Sequence, residues 1–365
     1  MLSSSNKYLG VMSGTSLDGI DIALCEIDED GTRCLIYEEY PFPLDLKEAT
    51  LEMINHSTTL SKVGELDHLI GAEYARVVNL FLEKHNINRD EIRAIGAHGQ
   101  TVWHQPDSKY PFSMQLGNAS LLAVKSGIDV VADFRSKDIA LGGQGAPFAP
   151  AFHQELFSDI PACAVINIGG MANISILGSP LIGYDSGCGN VLMDMWISKS
   201  KNIAYDKDGM WASSGKVHHV LLQNMLEDSY FKLNYPKSTG REYFNKSFLR
   251  KYLEPLDKIS DKDIQATLLA LTVVSIAEEI KRFNIRTVLV CGGGAKNIYL
   301  MQKLQEALPT ITVDATDDYG VGGDEMEAMI FAWLAFKRLR DEKIELKTVT
   351  GATNNTILGG IYATN

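Results

Sequence analysis

Two stretches of the chain open with the same run of elements, and this recurrence limits the fold more than any other feature. Near the start, Tyr8–Met12 is an apolar run, a polar glycine-bearing turn follows, and a second run alternates apolar and polar residues up to Leu24. That pattern predicts strand, turn, strand. Thr32–Tyr40 reads as a third strand, stopped by Pro41 and Pro43. Leu44–Asn55 and Ser61–His85 have helical period, the second with Leu66, Leu69, Ile70, Tyr74, Val77, Val78, Phe81 and Leu82 on one stripe. Ile92–Ala97 is a short buried strand, Asn118–Ser126 a helix and Asp129–Ala132 a strand, so the first part reads βββαβαβ. Beyond the glycine-dense segment Gly142–Pro147 the order returns. Strands Ala162–Ile168, Ala172–Leu177 and Leu181–Asp185 precede helix Asn190–Lys199 and a long helix from Asp261 to Phe283. Strand Thr287–Cys291, helix Ile298–Leu308, strand Ile311–Asp314 and helix Glu325–Leu339 complete it. The expectation is an α/β chain of two duplicated domains, 1–135 and 136–365, with a C-terminal segment able to pack back on the first.

This element order is similar to that of the actin, sugar kinase and Hsp70 ATPase superfamily. The similarity implies two RNase H-like domains with ATP in the cleft between them, its phosphates held by two hairpin turns. Composition agrees with a globular chain: 365 residues are 45% hydrophobic and 22% charged. A net charge of −12 argues against nucleic acid or an anionic membrane as the main partner, yet permits one phosphate ligand in a local donor cluster. Cys25, Cys34, Cys163, Cys188 and Cys291 are odd in number and show no C-x-x-C spacing, which points to reduced thiols and a cytoplasmic setting. Met1–Lys7 has no apolar signal core and no run approaches transmembrane length.

The first turn, Ser13-Gly14-Thr15-Ser16-Leu17-Asp18-Gly19, carries more chemistry than a hairpin needs. Its glycines allow close backbone approach and its hydroxyls stand beside free N–H groups. Asp18 and Asp21 could orient a hydrated cation. A loop can hold polyphosphate in this way without a Walker lysine. The alternative is an ordinary polar turn. Asn167-Ile168-Gly169-Gly170-Met171-Ala172-Asn173 offers a second phosphate clamp, or only a tight turn. Gly292-Gly293-Gly294, after a strand and before Asn297, could let purine and ribose lie on backbone, or be a flexible connection. No G-x-x-x-x-G-K-[S/T], no G-x-G-x-x-G after a strand and no G-x-S-x-G is present, which removes P-loop, Rossmann and α/β-hydrolase readings.

Asp185 lies at a strand end before Gly187 and Gly189, with Asn190 read as the N-cap of the next helix. It is the candidate base that orients a nucleophile. His98 and Gln100, at the end of Ile92–Ala97, suit polar contacts to a sugar or its carboxyl group. His98 and His104 lack a third ligand of usable spacing, which argues against zinc. Asp133, Arg135, Gly145 and His153 add polar groups near the hinge, Arg135 being the candidate for an anion or a domain-linking salt bridge. Glu327 opens the last helix, where a carboxylate also favours the helix dipole.

Taken together, these blocks resemble the anhydro-N-acetylmuramic acid kinase family. The match runs through Gly10–Asp21 (GVMSGTSLDGID), Gly96–Pro106 (GAHGQTVWHQP), Gln115–Ala119 (QLGNA) and Asp133–Pro150 (DFRSKDIALGGQGAPFAP) with Phe152-His153. It continues through Asn167–Ser175 (NIGGMANIS), Tyr184–Asp194 (YDSGCGNVLMD), Val290–Asn297 (VCGGGAKN) and Glu327–Ala335 (EAMIFAWLA). The resemblance implies that ATP and water convert 1,6-anhydro-N-acetylmuramic acid to N-acetylmuramic acid 6-phosphate in peptidoglycan recycling. It makes Asp185 the base for that water and Glu327 a second contact to sugar or water. Ser13–Gly19, Asn167, Gly169, Gly170, Asn173, Gly292–Gly294 and Asn297 fall at the nucleotide. His98, Gln100, Thr101, Gln115, Asn118, Asp133, Arg135, Gly145 and His153 fall at the sugar. Mg2+ is expected on the phosphates, largely water-held, and the family allows a homodimer. Where the family has Gly-Pro-Gly after the aspartate, this chain has Gly187-Cys188-Gly189. A conventional sugar or carboxylate kinase of the same superfamily is the nearest rival, and an ATP-driven binding module the more distant one.

Overall fold

The computed structural model describes residues 5–364. Its strands begin with β1 (Lys7–Met12), β2 (Gly19–Asp28), β3 (Gly31–Pro41), β4 (Ile92–Ala97), β5 (Gln100–Gln105), β6 (Phe112–Leu116) and β7 (Val130–Ala132). They continue with β8 (Cys163–Ile168), β9 (Met171–Ile176), β10 (Ile182–Cys188), β11 (Thr287–Cys291), β12 (Thr312–Ala315) and β13 (Gly360–Tyr362). The chain divides into two compact units, one of residues up to Leu156 with the segment from Glu325 onward, the other Phe157–Asp324.

In the first unit six strands lie in the order β13-β7-β4-β1-β2-β3. The pairs β1–β2 and β2–β3 are antiparallel, whereas β4 runs parallel to β1 and β7 parallel to β4. The second unit has the order β10-β9-β8-β11-β12, with β8–β9 and β9–β10 antiparallel and β11 and β12 joined in parallel. Setting β13 aside, each sheet therefore places its strands third, second, first, fourth, fifth. The duplication read from the sequence is a duplication of topology. Central strands are buried on both faces, as Leu9, Val11 and Ile95 in one unit and Val165, Val288 and Leu289 in the other show at 0% exposure. That is why they read as continuous apolar runs instead of alternating ones.

The expected boundary at 135/136 moves, for two physical reasons. Helix Met326–Leu339 lies across β1 and β4 of the first sheet, where Gly10 and Gly96 are register partners. A Cβ at either glycine would stand 1.8 Å from a helix carbonyl oxygen, that of Ala328 or Phe331. The missing side chains let the helix backbone rest on the strands. Residues 136–156 also stay with the first unit, through Thr350 Oγ1 donating to Asp138 at 2.8 Å and the Phe152 ring packing tilted against Trp333, centroids 5.5 Å apart.

Other differences are local. Leu69 is 52% exposed, on the flank of the helix Leu60–Lys84 whose other stripe residues are buried. Asn190 does not cap its helix by its side chain; Nδ2 instead donates to the Ile168 carbonyl at 3.1 Å, tying the helix start to the β8–β9 turn. The β5–β6 ribbon and the helices His219–Leu226 and Lys246–Leu253 were not announced by the sequence pattern. All five cysteines are free thiols. Among the described residues no helix is long and apolar enough to cross a membrane.

Candidate active site

In the second unit the chemistry gathers around Asp185, in the middle of β10. The β9–β10 register shifts between Asp185 and Gly187, a bulge that re-aims the strand there. Asp185 Oδ1 accepts a short hydrogen bond from Asn173 Nδ2 on β9. Oδ2 accepts from Ser238 Oγ at 3.1 Å and from the Thr239 N–H at 2.9 Å. A carboxylate has about four lone-pair sites; Oδ2 uses both of its own, and Oδ1 keeps one. Burial pushes the Asp185 pKa above its ordinary value of 3.8, against the pull of those three donors, and the Glu242 carboxylate adds to the rise. The carboxylate is thus partly desolvated, fixed in direction and more basic than a surface aspartate.

The β8–β9 turn, Gly169-Gly170, lies beside it. Its carbonyls accept from the Gly189, Asn190 and Val191 N–H groups at 2.9, 2.8 and 3.1 Å, so the turn is locked to the helix Val191–Lys201. Arg241 Nε and Nη2 each stand 4.0 Å from where a Cβ on Gly170 would be, which brings a guanidinium to this turn. Gly292 and Gly294 pack under Asn167 and Ile168, so the third glycine segment adjoins the same turn. Asn297 caps the helix Ile298–Ala307 through the Leu300 N–H at 3.0 Å. A cavity of about 540 Å³ opens here, lined by Asn190, Asp194, Tyr205, Asp206, Lys296 and Asn297, with Gly293 at its wall. Burial raises the Asp194 carboxyl to about 6, with Arg241 opposing and Asp206 reinforcing. Asn173, read from the sequence as a nucleotide contact, holds the candidate base through Nδ2. Cys188 is buried, and burial pushes its thiol up to about 12, so it packs as a neutral small side chain.

In the first unit the β1–β2 turn, Ser13–Gly19, is braced from below. Gln100, 0% exposed, accepts from Ser13 Oγ at 2.7 Å and donates from Nε2 to the carbonyls of Gly14 and Thr101, both at 3.2 Å. Ser13 also shares a short hydrogen bond with Tyr74 OH. Gln100 is therefore a brace for the turn, not the sugar contact expected of it, because its amide is spent on the protein. Leu17 is buried with φ 54°, while Thr15, Ser16 and Asp18 stay exposed. Asp18 accepts from Lys47 Nζ at 2.8 Å and Asp21 from Tyr37 OH at 2.7 Å.

His98, Gln115, Asn118 and Asp133 do come together, around a cavity of about 360 Å³. Asp67 and Tyr362 complete its wall, and neither was singled out from the sequence. Asp67 holds the floor by accepting from the Gly117 N–H at 2.9 Å and Asn118 Nδ2 at 3.1 Å. On the sequence it is one more polar residue of a helix. Tyr362 comes from β13, whose only signal was the apolar pair Ile361-Tyr362 after Gly359-Gly360. Thr101 accepts from Gln115 Nε2 at 3.2 Å and so supports that residue.

Within the first unit, Arg135 Nη2 and Nε reach His98 Nε2 at 2.8 and 3.2 Å, and Nη1 donates to the Gly145 carbonyl at 2.9 Å. Burial and the Arg135 charge hold His98 well below its ordinary pKa. Neutral His98 accepts at Nε2, which leaves the proton on Nδ1, a buried atom without a protein partner. His153 lies in the interior, 3% exposed against Met326 Sδ, and burial lowers its pKa to about 3. Its expected sugar contact is replaced by a packing role under the late helix. Glu327 has solvent access at the start of that helix, and desolvation together with the Asp21 carboxylate raises its pKa. The residues missed in the second unit, Ser238, Thr239 and Arg241, lie between Lys201 and Asp261; their signal is Pro236-Lys237-Ser238-Thr239-Gly240-Arg241, dense in small polar groups between helices.

Comparison with known proteins places this geometry. The family model of anhydro-N-acetylmuramic acid kinase matches residues 6–364. A protein of Sulfurovum sp. named anhydro-N-acetylmuramic acid kinase is 53% identical over 98% of this chain and 99% of its own. One of Sulfurimonas denitrificans with the same name is 53% identical over 98% of this chain and its whole length. A third, from Pasteurella multocida, is 47% identical over 99% of this chain and 98% of its own. The chain belongs to the anhydro-N-acetylmuramic acid kinase family.

Proposed function

We propose that this chain uses ATP and water to convert 1,6-anhydro-N-acetylmuramic acid to N-acetylmuramic acid 6-phosphate, as a cytoplasmic step of peptidoglycan recycling. The observation that carries the reading is the clamped Asp185 carboxylate, with three donors fixing its direction, one Oδ1 site left over and a raised pKa. The anhydro sugar has no free 6-hydroxyl, so phosphoryl transfer must be joined to opening of the internal ether. Water forms a bond to C1 and gives a proton to Asp185, the C1–O6 bond breaks, and O6 forms a bond to the γ-phosphorus as ADP departs. The bond changes balance, with one proton released.

Each further residue has a task in that sequence. The Gly14–Ser16 turn and the Gly170 N–H offer backbone donors to the phosphates, the Gly169 N–H being spent on the Met171 carbonyl at 3.0 Å. Arg241 supplies positive charge beside the second turn, where charge accumulates on the transferred group. The cavity at Asn190, Asp194 and Asn297 takes the nucleoside. His98 donates from Nδ1 and Asn118 from its amide to the sugar's oxygens, and Glu327 makes a second contact to sugar or water. A Mg2+ on the phosphates suits the exposed Asp18 and the partly buried Asp21, each already sharing an oxygen with a protein donor and so suited to contact through water. When bound, the metal would neutralise phosphate charge.

The test is ADP release with 1,6-anhydro-N-acetylmuramic acid, N-acetylmuramic acid and N-acetylglucosamine, each separately. ADP released only with the anhydro sugar supports the hydrolytic kinase. Turnover of the free sugars in its place would make the enzyme a conventional sugar kinase.

A further inference from the structure

Two of the three donors on Asp185 come from a stretch without regular structure, Pro236–Gly240. Such a stretch has no ladder of its own to fix a carboxylate to a few tenths of an ångström. What anchors it is the side chain of Lys237. The residue is 7% exposed, and its Nζ lies 2.6 Å from Glu279 Oε1 and 5.1 Å from the Tyr230 ring centre. Glu279, 6% exposed on the helix Asp261–Ile280, also accepts at Oε2 from Arg282 Nη1 at 2.7 Å and Tyr184 OH at 3.0 Å.

Each arm of this network returns to Asp185. The Lys237 carbonyl accepts from the Asp185 N–H at 3.0 Å, and Ser238 and Thr239 follow directly in the chain. Tyr184 precedes Asp185 on β10, and Tyr230 OH donates to the Asp185 carbonyl at 2.8 Å. Burying a lysine–glutamate pair is costly in desolvation, and an apolar pair of similar volume often serves stability as well. Lys237 and Glu279 line neither cavity described above.

We propose that the Lys237–Glu279 ion pair is a positioning device for Asp185: it holds Ser238 and Thr239 at the carboxylate and so aims the remaining Oδ1 site at the attacking water. The proposal rests on Asp185 being the base. It also has a signature that simple stabilisation lacks. The Ser238 and Thr239 donors favour the ionised carboxylate, and Glu242 disfavours it. Tyr230 engages only the Asp185 backbone, and Arg241 sits at Gly170. Releasing the two donors therefore makes Asp185 harder to ionise. Activity is then lost at a higher pH on the acid side.

The experiment compares wild type, Lys237→Met, Lys237→Arg and the double variant Lys237→Met/Glu279→Met in ADP release with the anhydro sugar across pH. Thermal melting counts the folded fraction of each. Lys237→Met is expected to lower kcat roughly ten- to a hundredfold, with KM for both substrates within about threefold. The acid limb of kcat/KM should move up by about one pH unit. Lys237→Arg, which keeps the cation, should recover part of kcat. The double variant removes the buried charges together, so it should recover melting temperature yet keep the displaced acid limb; it carries the test if Lys237→Met does not fold. A double variant with wild-type kcat and acid limb would overturn the proposal, as would a folded Lys237→Met with both unchanged. Asp185→Asn separates the two levels. If it stays active, the base assignment fails; if it is inactive while the Lys237 variants keep the wild-type profile, only the positioning role fails.

Discussion

At the scale of single residues, environment decides which carboxylates and imidazoles can act. Burial raises the Asp185 pKa, while three hydrogen bonds to its carboxylate pull the other way. Asp185→Asn preserves its shape and removes its basicity, so kcat should fall by about 10³-fold or more, with ATP affinity in an equilibrium titration little changed. In wild type the acid limb of kcat/KM should lie above 3.8, because the raised folded-state value sets where the base is lost. His153 makes a stability prediction of opposite use. Its imidazole is buried and neutral, lowered to about 3. Below the unfolded value near 6.5 the unfolded chain takes up a proton that the folded chain refuses. Stability is therefore complete above about 6.5 and declines as pH falls toward 3. The melting temperature should drop over that window, and less steeply in His153→Leu. An equal slope in the variant would mean that His98 or other groups carry the effect.

At the scale of elements, the contact between the late helix and the first sheet is fixed by two glycines. Gly10→Ala would drive a methyl into the Ala328 carbonyl, a clash of backbone that no rotamer relieves. The expected loss is about 3 kcal/mol or more, read as a lower denaturant midpoint, whereas Gly64→Ala, with open space around it, should be near neutral or stabilising. A Gly10→Ala variant as stable as wild type would remove this account of the helix–sheet contact. Elements of this kind were legible in the sequence wherever hydrophobic period was strong: the first three strands, the helix at 60–84 and the long helix from 261 all lie where the pattern put them. The β5–β6 ribbon was not, because Trp103, Phe112 and Met114 remain 50%, 40% and 40% exposed and give no inside–outside alternation. The segment from 202 to 260 was also left unread, because its helices are short and separated by irregular stretches. That is where Ser238 and Thr239, two holders of the base, were missed. Motif spacing singled out Asp185 as a strand-end carboxylate, whereas it stands inside β10, at the register shift before Gly187. It did not reveal that Gln100 and Asn173 hold protein groups, since a polar side chain near a turn looks the same whether it serves the ligand or the turn.

At the scale of the whole molecule, the two units repeat one strand order while dividing the chemistry. The first holds the polar cavity lined by His98, Gln115 and Asn118 together with Glu327, the second the candidate base and the cavity lined by Asn190, Asp194 and Asn297. The sequence order of elements carried that duplication, but the boundary depended on which sheet the last helix chose, information that lies in the complementary glycines of distant strands. A ligand that binds only the folded chain stabilises it by mass action. ATP at a hundredfold excess over its Kd should add about 2.7 kcal/mol and raise the melting temperature, with no sugar present and ADP release at background. A rise of ADP under those conditions would show that the site fails to exclude a water from the γ-phosphate, against the coupling of water attack to sugar binding. The central claim is that water goes to carbon while the sugar's own O6 goes to phosphorus. It is tested most directly by running the reaction in H2 18O and locating the label in the product by mass spectrometry. The account predicts one heavy oxygen on C1 of N-acetylmuramic acid 6-phosphate and none in the phosphate. Label in the phosphate, or an unlabelled phosphorylated sugar, would contradict it.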